Sequence, residues 1–340
     1  MRIITDDIEK VHHGETKAGI TMHNFLAHFD YTFNKSSHTH FKNFFRKNSV
    51  VSKWMVFSDY VLNDKNKVND VITFSIFPYK EDFFELGEKI DKLSFKDIKK
   101  LKRVNKSFLD FINDYEILNI SILLDKDIKI DPYSEVEALK TSYTTALNQV
   151  DMWINNEGEL PRYKDLRRIY CVLLEEVTKQ GVNLRNVRNI EIVSNLAAYL
   201  IFQICHNVKV NVIGWFSDRD AMLSHKAAKF SKPVIFDLTS NLFHNLMFSQ
   251  NENYSETLTF GLPEPKGKLW YDSYNRVPDL ISATLADYDY VNNVCSHDKF
   301  VPVIDNIIVK KEKTIIYRIF FEEHGFRAGY LPFEIDESTC

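Results

Sequence analysis

The stretch Trp54-Met55-Val56-Phe57-Ser58-Asp59-Tyr60-Val61-Leu62 is the apolar run on which the fold prediction depends. It has the length and density of a buried strand and carries a polar residue near its end. Residues 63–69 are polar and typical of a turn, and residues 71–77 form a second apolar run that Pro78 ends. We therefore predict an antiparallel hairpin over residues 54–77, with Asp59 near the end of its first strand.

Segments typical of strands and of helices alternate through most of the remaining chain. The apolar periodicity predicts strands at residues 117–124, 208–216 and 233–238, and a late hairpin that pairs residues 306–310 with residues 314–321. Helices are predicted at residues 83–93, 95–113, 134–155, 162–180, 189–206 and 278–288, the last opened by Pro278, and residues 250–268 are predicted to form a polar loop. This alternation predicts an α/β fold, with a mixed sheet flanked by helices.

The first fifty residues differ in composition from the rest. They contain several phenylalanines, few aliphatic residues and six of the eleven histidines, namely His12, His13, His23, His28, His38 and His40. We predict an N-terminal extension over residues 1–48, an arm or subdomain that could dock a protein partner, followed by an α/β core over residues 49–340. Metal binding by His12-His13 or by His38-x-His40 is the alternative, although no carboxylate spacing supports it.

The overall composition excludes several function classes. The chain has 340 residues, only ten of them glycine, so few are available for the phosphate-binding loops of P-loop or dinucleotide-binding proteins. Its 43 basic and 47 acidic residues give a net charge of −4, which provides no general electrostatic attraction for nucleic acid. No segment approaches the roughly 18 apolar residues of a membrane helix, and the N-terminal residues lack the apolar core of a signal peptide. We expect no membrane partner and a cytoplasmic location.

The cysteines and one basic segment add little to these exclusions. The four cysteines, Cys171, Cys205, Cys295 and Cys340, are far apart and predicted to be reduced. The basic segment 96–106 could contact a phosphate backbone or could equally be a solvated helix surface.

Three acidic positions share a setting at the end of an apolar strand or the start of a helix. They are Asp59, Asp218 with its neighbour Asp220, and Asp279 with the nearby Asp287. Carboxylates that project from the rim of a sheet into one cleft are suitable ligands for Mg²⁺, a hard cation. Bound divalent ions can activate water and stabilise the leaving oxygen of a phosphodiester. This pattern favours metal-assisted phosphoryl transfer.

The order of these elements resembles that of the RNase H-like superfamily, and of bacterial proteins in it that carry domains of unknown function. The residues that carry the resemblance are Trp215-Phe216-Ser217-Asp218-Arg219-Asp220 at a strand end and Pro278-Asp279-Leu280-Ile281-Ser282-Ala283 on a late helix, after an early hairpin whose first strand bears Asp59. The resemblance covers about residues 50 to 300. It implies a nuclease that uses Mg²⁺ or Mn²⁺.

The resemblance also implies roles for individual residues. Asp59, Asp218 and Asp279 would be catalytic and ligate the metal, with Asp220 completing the ligand set and Asp287 as a substitute. Arg219 or Lys226 would neutralise the phosphate of a DNA or RNA substrate. By family association, such an enzyme would be an accessory effector of bacterial antiviral defence or of a mobile element.

Other interpretations of the same residues stay open. Asp59 could be a turn former, Asp218 or Asp220 a helix cap, and Asp279 a residue favoured by the helix dipole. An Asp-x-Asp pair after a strand also resembles the metal site of glycosyltransferases and, less closely, the nucleophile loop of haloacid-dehalogenase-like phosphatases. From a different class, the chain could be a catalytically silent α/β interaction protein.

Overall fold

The computed structural model describes residues 23–94, 98, 101–226, 233–250, 257–264, 266–310, 312–322 and 325–333. The predicted histidine pair His12-His13, residues 96, 99 and 100 of the basic segment, and Cys340 lie outside the described residues. Within them, no helix has both the length and the hydropathy needed to cross a membrane.

A seven-stranded mixed sheet forms the centre of the fold. Its strands are β1 (Lys53–Val61), β2 (Asp70–Pro78), β3 (Leu118–Leu124), β4 (Val212–Ser217), β5 (Thr257–Gly261), β8 (Thr314–Glu322) and β9 (Gly325–Tyr330). Their order is β5-β4-β1-β2-β3-β8-β9. The pairs β1–β2, β2–β3 and β8–β9 are antiparallel, whereas β4 is parallel to β1, β5 to β4 and β8 to β3. The α/β prediction is therefore confirmed.

Alternation along β1 explains why this strand lies inside the molecule. Trp54 and Val56 pack into the hydrophobic core on one face of the sheet, and Met55 and Phe57 pack into a second core on the other face. Successive side chains of a strand point to opposite faces, so a strand covered on both sides is apolar at nearly every position. Asp59 lies on the face of Met55 and Phe57.

Helices cover both faces. The face of Trp54 is covered by α1 (Asn24–Ser36), α2 (His38–Lys47), α5 (Glu135–Glu157), α6 (Pro161–Thr178), α7 (Leu184–Asn207) and α8 (Val234–Ser249). The opposite face is covered by α3 (Phe83–Leu93), α4 (Lys106–Asp114), α9 (Asp272–Asp287) and a short helical segment composed of Asp298–Phe300, Val301–Val303 and Ile304–Ile308. A two-stranded ribbon, β6 (Tyr288–Asp289) with β7 (Val294–Cys295), separates α9 from this segment.

Helix α9 positions the candidate site because it packs across β1 and β2. Tyr274 stacks on Phe57 at a ring distance of 4.7 Å, and its hydroxyl donates to the carbonyl oxygen of Phe83 at 2.6 Å. The prediction that Pro278 opens this helix is wrong, since the helix begins six residues earlier, at Asp272. Burial of Tyr274 and its neighbours outweighs the hydrogen bond that an interior proline cannot donate.

Several predicted segments differ in the structure. Residues 233–238 are the start of α8 instead of a strand, residues 304–308 are helical instead of part of a hairpin, and the predicted loop 250–268 contains β5. Of the helix predicted over 95–113, residues 95–97, 99 and 100 lie outside the described residues, residues 101–105 are not helical, and α4 begins at Lys106. Strand β8 pairs with β3 and β9 instead. Short apolar runs suit a buried helix as well as a buried strand, so periodicity alone could not distinguish them.

Residues 23–47 pack into the main core instead of standing apart from it. The rings of Phe25, Phe29, Phe33, Phe41 and Phe45 are fully buried. Phe29 and Phe33 make edge contacts with Tyr199 of α7, which places α1 against the central layer. The described part of the predicted N-terminal extension thus shares its hydrophobic core with the sheet.

Candidate functional site

The carboxyl ends of β1 and β4 meet at one edge of the sheet. The two strands are parallel, with Ser58 in register with Ser217, and the amide of Asp218 donates to the carbonyl oxygen of Ser58 at 2.9 Å. Adjacent strands lie about 4.8 Å apart. The main chains of Asp59 and Asp218, which follow the registered pair, are therefore neighbours.

A cleft of about 370 Å³ opens beside this edge. Its lining includes Asp59 from β1, Asp220 from the segment after β4, and Asp279 from α9. Asp59 is only 8% exposed, and its carbonyl oxygen accepts a hydrogen bond from the hydroxyl of Ser282 on α9. Three of the predicted carboxylates thus come from three different elements to one cleft.

Basic side chains also line the cleft. Lys67 from the turn after β1, together with His297 and Lys299 from the segment after β7, contribute to its lining, and Asp64 adds a fourth carboxylate. The ammonium group of Lys67 lies 5.5 Å from the centre of the Phe300 ring, and that of Lys299 donates to the carbonyl oxygen of Ile98. Carboxylates and amines therefore line the same space.

A buried hydroxyl network supports the strand ends. Tyr60 is hydrogen-bonded to Ser58 at 2.7 Å, Ser217 donates to Tyr60 at 2.9 Å, and the indole of Trp215 donates to Ser58 at 2.8 Å. Burial raises the pKa of Tyr60 well above its usual range, and the negative charges of Asp220 and Asp59 act in the same direction. The phenol therefore stays neutral and ties β1 to β4.

The side chains of Asp218 and Asp220 lie in different surroundings. Asp218 accepts a hydrogen bond from the amide of Arg219 at 2.7 Å and lies in the field of Asp272 and Arg276. Burial is the largest influence and raises the pKa of Asp218. Asp220 instead lines the cleft, and its carboxylate accepts from the amide of Met222. The Asp218-x-Asp220 pair is thus divided between two environments.

The predicted phosphate-binding cations lie outside the described cleft lining. The guanidinium of Arg219 donates to the carbonyl oxygens of Glu264 and Gly267 and pairs with Asp272 at 3.1 Å, so it fastens the loop before α9. Lys226 lines a separate depression beside Glu176 at the end of α6. In their place, the structure brings Lys67 and Lys299 to the cleft.

Asp287, the predicted substitute ligand, is occupied by other partners. It is 3% exposed and accepts hydrogen bonds from Lys67 at 2.8 Å and from the amide and hydroxyl of Ser296 at 2.8 and 2.6 Å. Burial alone would raise the pKa of Asp287, but these hydrogen bonds outweigh it and lower the pKa. We therefore assign Asp287 to the support of the cleft.

The donor chemistry of the cleft fits a hard divalent cation, because carboxylate oxygens are the ligands that Mg²⁺ and Mn²⁺ prefer. Within the described ranges, however, no three His, Cys, Asp or Glu side chains are grouped closely enough to hold a metal ion. Asp59, Asp220 and Asp279 share a cleft, but they do not form a compact ligand set. Binding would require side-chain movement toward the ion.

The three cysteines that the structure describes form no disulfide with one another. Burial raises the pKa of Cys295, near the cleft, to about 11. Its thiol is therefore protonated at neutral pH and is a poor nucleophile.

No known protein family, curated protein or solved structure was found to match this chain.

The sequence did not predict the basic residues of the cleft. Lys67 lies in a stretch that reads as an ordinary polar turn, and His297 and Lys299 lie in a polar segment without a motif. Lys67 reaches Asp287 across 220 residues of sequence. A search for charged residues in the turns that follow the central strands could have found Lys67, whereas nothing in the sequence indicated His297.

Proposed function

We propose that this protein is a divalent-metal-dependent nuclease that hydrolyses phosphodiester bonds of DNA or RNA. The observation that carries the proposal is the presence of Asp59, Asp220 and Asp279 in one cleft at the sheet edge. Asp220 would take the role that the resemblance implies for Asp218, because Asp220 lines the cleft.

The strand arrangement supports an RNase H-like relationship as part of this proposal. Strands β1, β2 and β3 form an antiparallel meander, and β4 and β5 add in parallel on the other side of β1. An RNase H-like core is expected to have this order, with acidic residues on the first strand, after the fourth strand and on a late helix. Strands β8 and β9 extend the sheet beyond that core.

The carboxylates and the lysines would have different roles in catalysis. Asp59, Asp220 and Asp279 would hold Mg²⁺ or Mn²⁺, and the bound ion would supply activation of water and neutralisation of charge on the leaving oxygen. Lys67 and Lys299 would attract and orient the phosphate.

The test is cleavage of labelled single- and double-stranded DNA and RNA in Mg²⁺ or Mn²⁺. We expect Asp59→Asn to lower the cleavage rate by about two orders of magnitude or more, because it removes a charge that acts on the transition state. The matched control is Asp110→Asn, an exposed aspartate on α4, which should leave the rate unchanged. Absence of metal-dependent cleavage on every substrate would overturn the proposal.

A catalytically silent interaction protein is the second candidate, and the lack of a compact ligand group among the described residues favours it. In that case, Asp59 and Asp220 would be dispensable for any binding of Mn²⁺. Isothermal titration calorimetry with Mn²⁺ distinguishes the two candidates. The nuclease should bind Mn²⁺ and lose this binding in Asp59→Asn, whereas the interaction protein should show no binding that depends on Asp59.

A further inference from the structure

The ribbon of β6 and β7 returns the chain to the end of α9, so that Ser296 and His297 lie against Asp287. The ring nitrogen Nδ1 of His297 lies 3.2 Å from Oδ1 of Asp287 and 2.8 Å from the hydroxyl oxygen of Ser296. The same hydroxyl donates to Asp287 Oδ1 at 2.6 Å. These three side chains form a closed triangle of hydrogen bonds.

The triangle determines where the proton of His297 lies. A serine hydroxyl has a single proton, and Ser296 uses it toward Asp287, so it can only accept from His297. Asp287 is ionised and also accepts only. Nδ1 must therefore carry a proton, which leaves Nε2, on the other side of the ring, as the nitrogen that can exchange a proton with a ligand.

His297 is an exposed residue of the cleft lining. Its side chain is 58% exposed and belongs to the cleft lining, and its ring packs edge-on against the buried Phe300 at 6.0 Å. Asp287, by contrast, is almost fully buried. A buried carboxylate that holds an accessible imidazole by Nδ1 is the arrangement that orients histidine for proton transfer.

We propose that His297 is the general acid of the cleft and protonates the leaving oxygen of the phosphodiester, while Asp287 and Ser296 are positioning residues. This inference rests on the proposed nuclease function. In the step, the oxygen of water bonds to phosphorus and its proton passes to solvent. The bond from phosphorus to the leaving oxygen breaks, and that oxygen takes the proton from Nε2. His297 becomes neutral and keeps its Nδ1 proton toward Asp287.

The charged groups that face His297 come from several elements. Its own segment contributes Lys299, the turn after β1 contributes Lys67 and Asp64, and α9 contributes Asp287. Asp59, Asp220 and Asp279 complete the charged lining. In this proposal the carboxylates of the lining serve the metal and the attacking water, and His297 serves the poor alkoxide leaving group.

The experiment compares two substrates that differ in leaving group. One is the oligonucleotide that the wild-type protein cleaves, and the other is thymidine 5′-(p-nitrophenyl phosphate), whose p-nitrophenolate departs without protonation. We expect His297→Ala to lose about a hundredfold or more in kcat on the oligonucleotide and less than about threefold on the ester. Asp287→Asn should show the same selectivity with a smaller loss. Added imidazole should restore part of the His297→Ala rate on the oligonucleotide. If the wild-type protein does not cleave the ester, this rescue alone tests the general-acid role, and its absence would overturn that role.

Controls separate failure of this inference from failure of the nuclease proposal. Asp59→Asn should lose activity on both substrates and gain nothing from imidazole, and His28→Ala, an exposed histidine on α1, should behave as wild type. Equal losses of His297→Ala on the two substrates, or no loss, would overturn the general-acid role while the nuclease stands. A wild-type protein inactive on both substrates would overturn both proposals.

Discussion

The amide of Asp218 donates to the carbonyl oxygen of Ser58 at 2.9 Å, which extends the parallel pairing of β1 and β4 by one residue beyond their last registered pair. This bond places the main chain of Asp218 beside that of Asp59. The cleft lining nevertheless includes Asp59 and Asp220 and not Asp218, whose carboxylate accepts a hydrogen bond from the amide of Arg219. The position of the Asp218 main chain beside Asp59 therefore does not determine whether Asp218 or Asp220 lines the cleft.

The different environments of Asp218 and Asp220 predict different effects on cleavage. We expect Asp220→Asn to be as inactive as Asp59→Asn in Mn²⁺, whereas Asp218→Asn should stay within about tenfold of wild type, because its carboxylate lies outside the cleft lining. Initial rates on one oligonucleotide check this. The reverse ranking would mean that Asp218 turns toward the metal on binding.

The hydroxyl network beneath the cleft predicts an effect on stability. Tyr60→Phe removes the partner of both Ser58 and Ser217, and each buried hydrogen bond contributes about 1 kcal/mol, so the free energy of unfolding should fall by about 1–2 kcal/mol. Urea denaturation measures the change. Tyr79→Phe, at a residue 40% exposed, is the control and should change the free energy by less than about 0.5 kcal/mol. Equal values for the two variants would contradict the network's role.

Two ion pairs of different burial predict different costs of truncation. Arg188 binds both carboxylate oxygens of Glu135 at 2.6 Å in the interior, so Arg188→Ala leaves a buried charge and should cost about 3–5 kcal/mol. Arg167 pairs with Asp151 at 2.7 Å on the surface, and Arg167→Ala should cost less than about 1 kcal/mol. Denaturant titrations of the two variants should therefore differ clearly, and similar midpoints would contradict the assignment of burial.

His38 predicts a loss of stability in acid. Burial first, and then the charge of Lys42, lower the pKa of His38 to about 4, and neither ring nitrogen has a hydrogen-bond partner among the described residues. The unfolded chain binds this proton near its ordinary pKa of 6.5, so the unfolded state holds more protons between about pH 4 and 6.5 and stability falls as the pH drops through that range.

The variant His38→Phe tests this prediction. It should retain the edge contact with Phe33 while flattening the dependence of the melting temperature on pH below 6.5. Scans at several pH values in one buffer series provide the measurement. His40→Phe, on the same helix, is the control that should leave the wild-type slope in place.

Local patterns were sufficient to predict most of the central sheet. The hairpin of β1 and β2, strand β3 and strand β4 were predicted because a strand buried on both faces is a compact apolar run bounded by turn residues. The run at 233–238 has the same composition and folds as a helix, because its apolar side chains pack against α7. Composition thus indicates burial more securely than it indicates conformation.

For the candidate site, too, local patterns determined one part and the tertiary structure another. The sequence by itself determined the α/β class and the positions of Asp59 and Asp220 near strand ends, because strand ends follow from local periodicity. It placed Asp279 at the start of a helix, whereas the structure places it in the middle of α9. Only the tertiary structure decided that Asp220 and not Asp218 lines the cleft. It also brought Lys67 to Asp287 from 220 residues away and placed His297 on the cleft wall. Side-chain direction and long-range pairing are set by packing across the sheet, which no local pattern records.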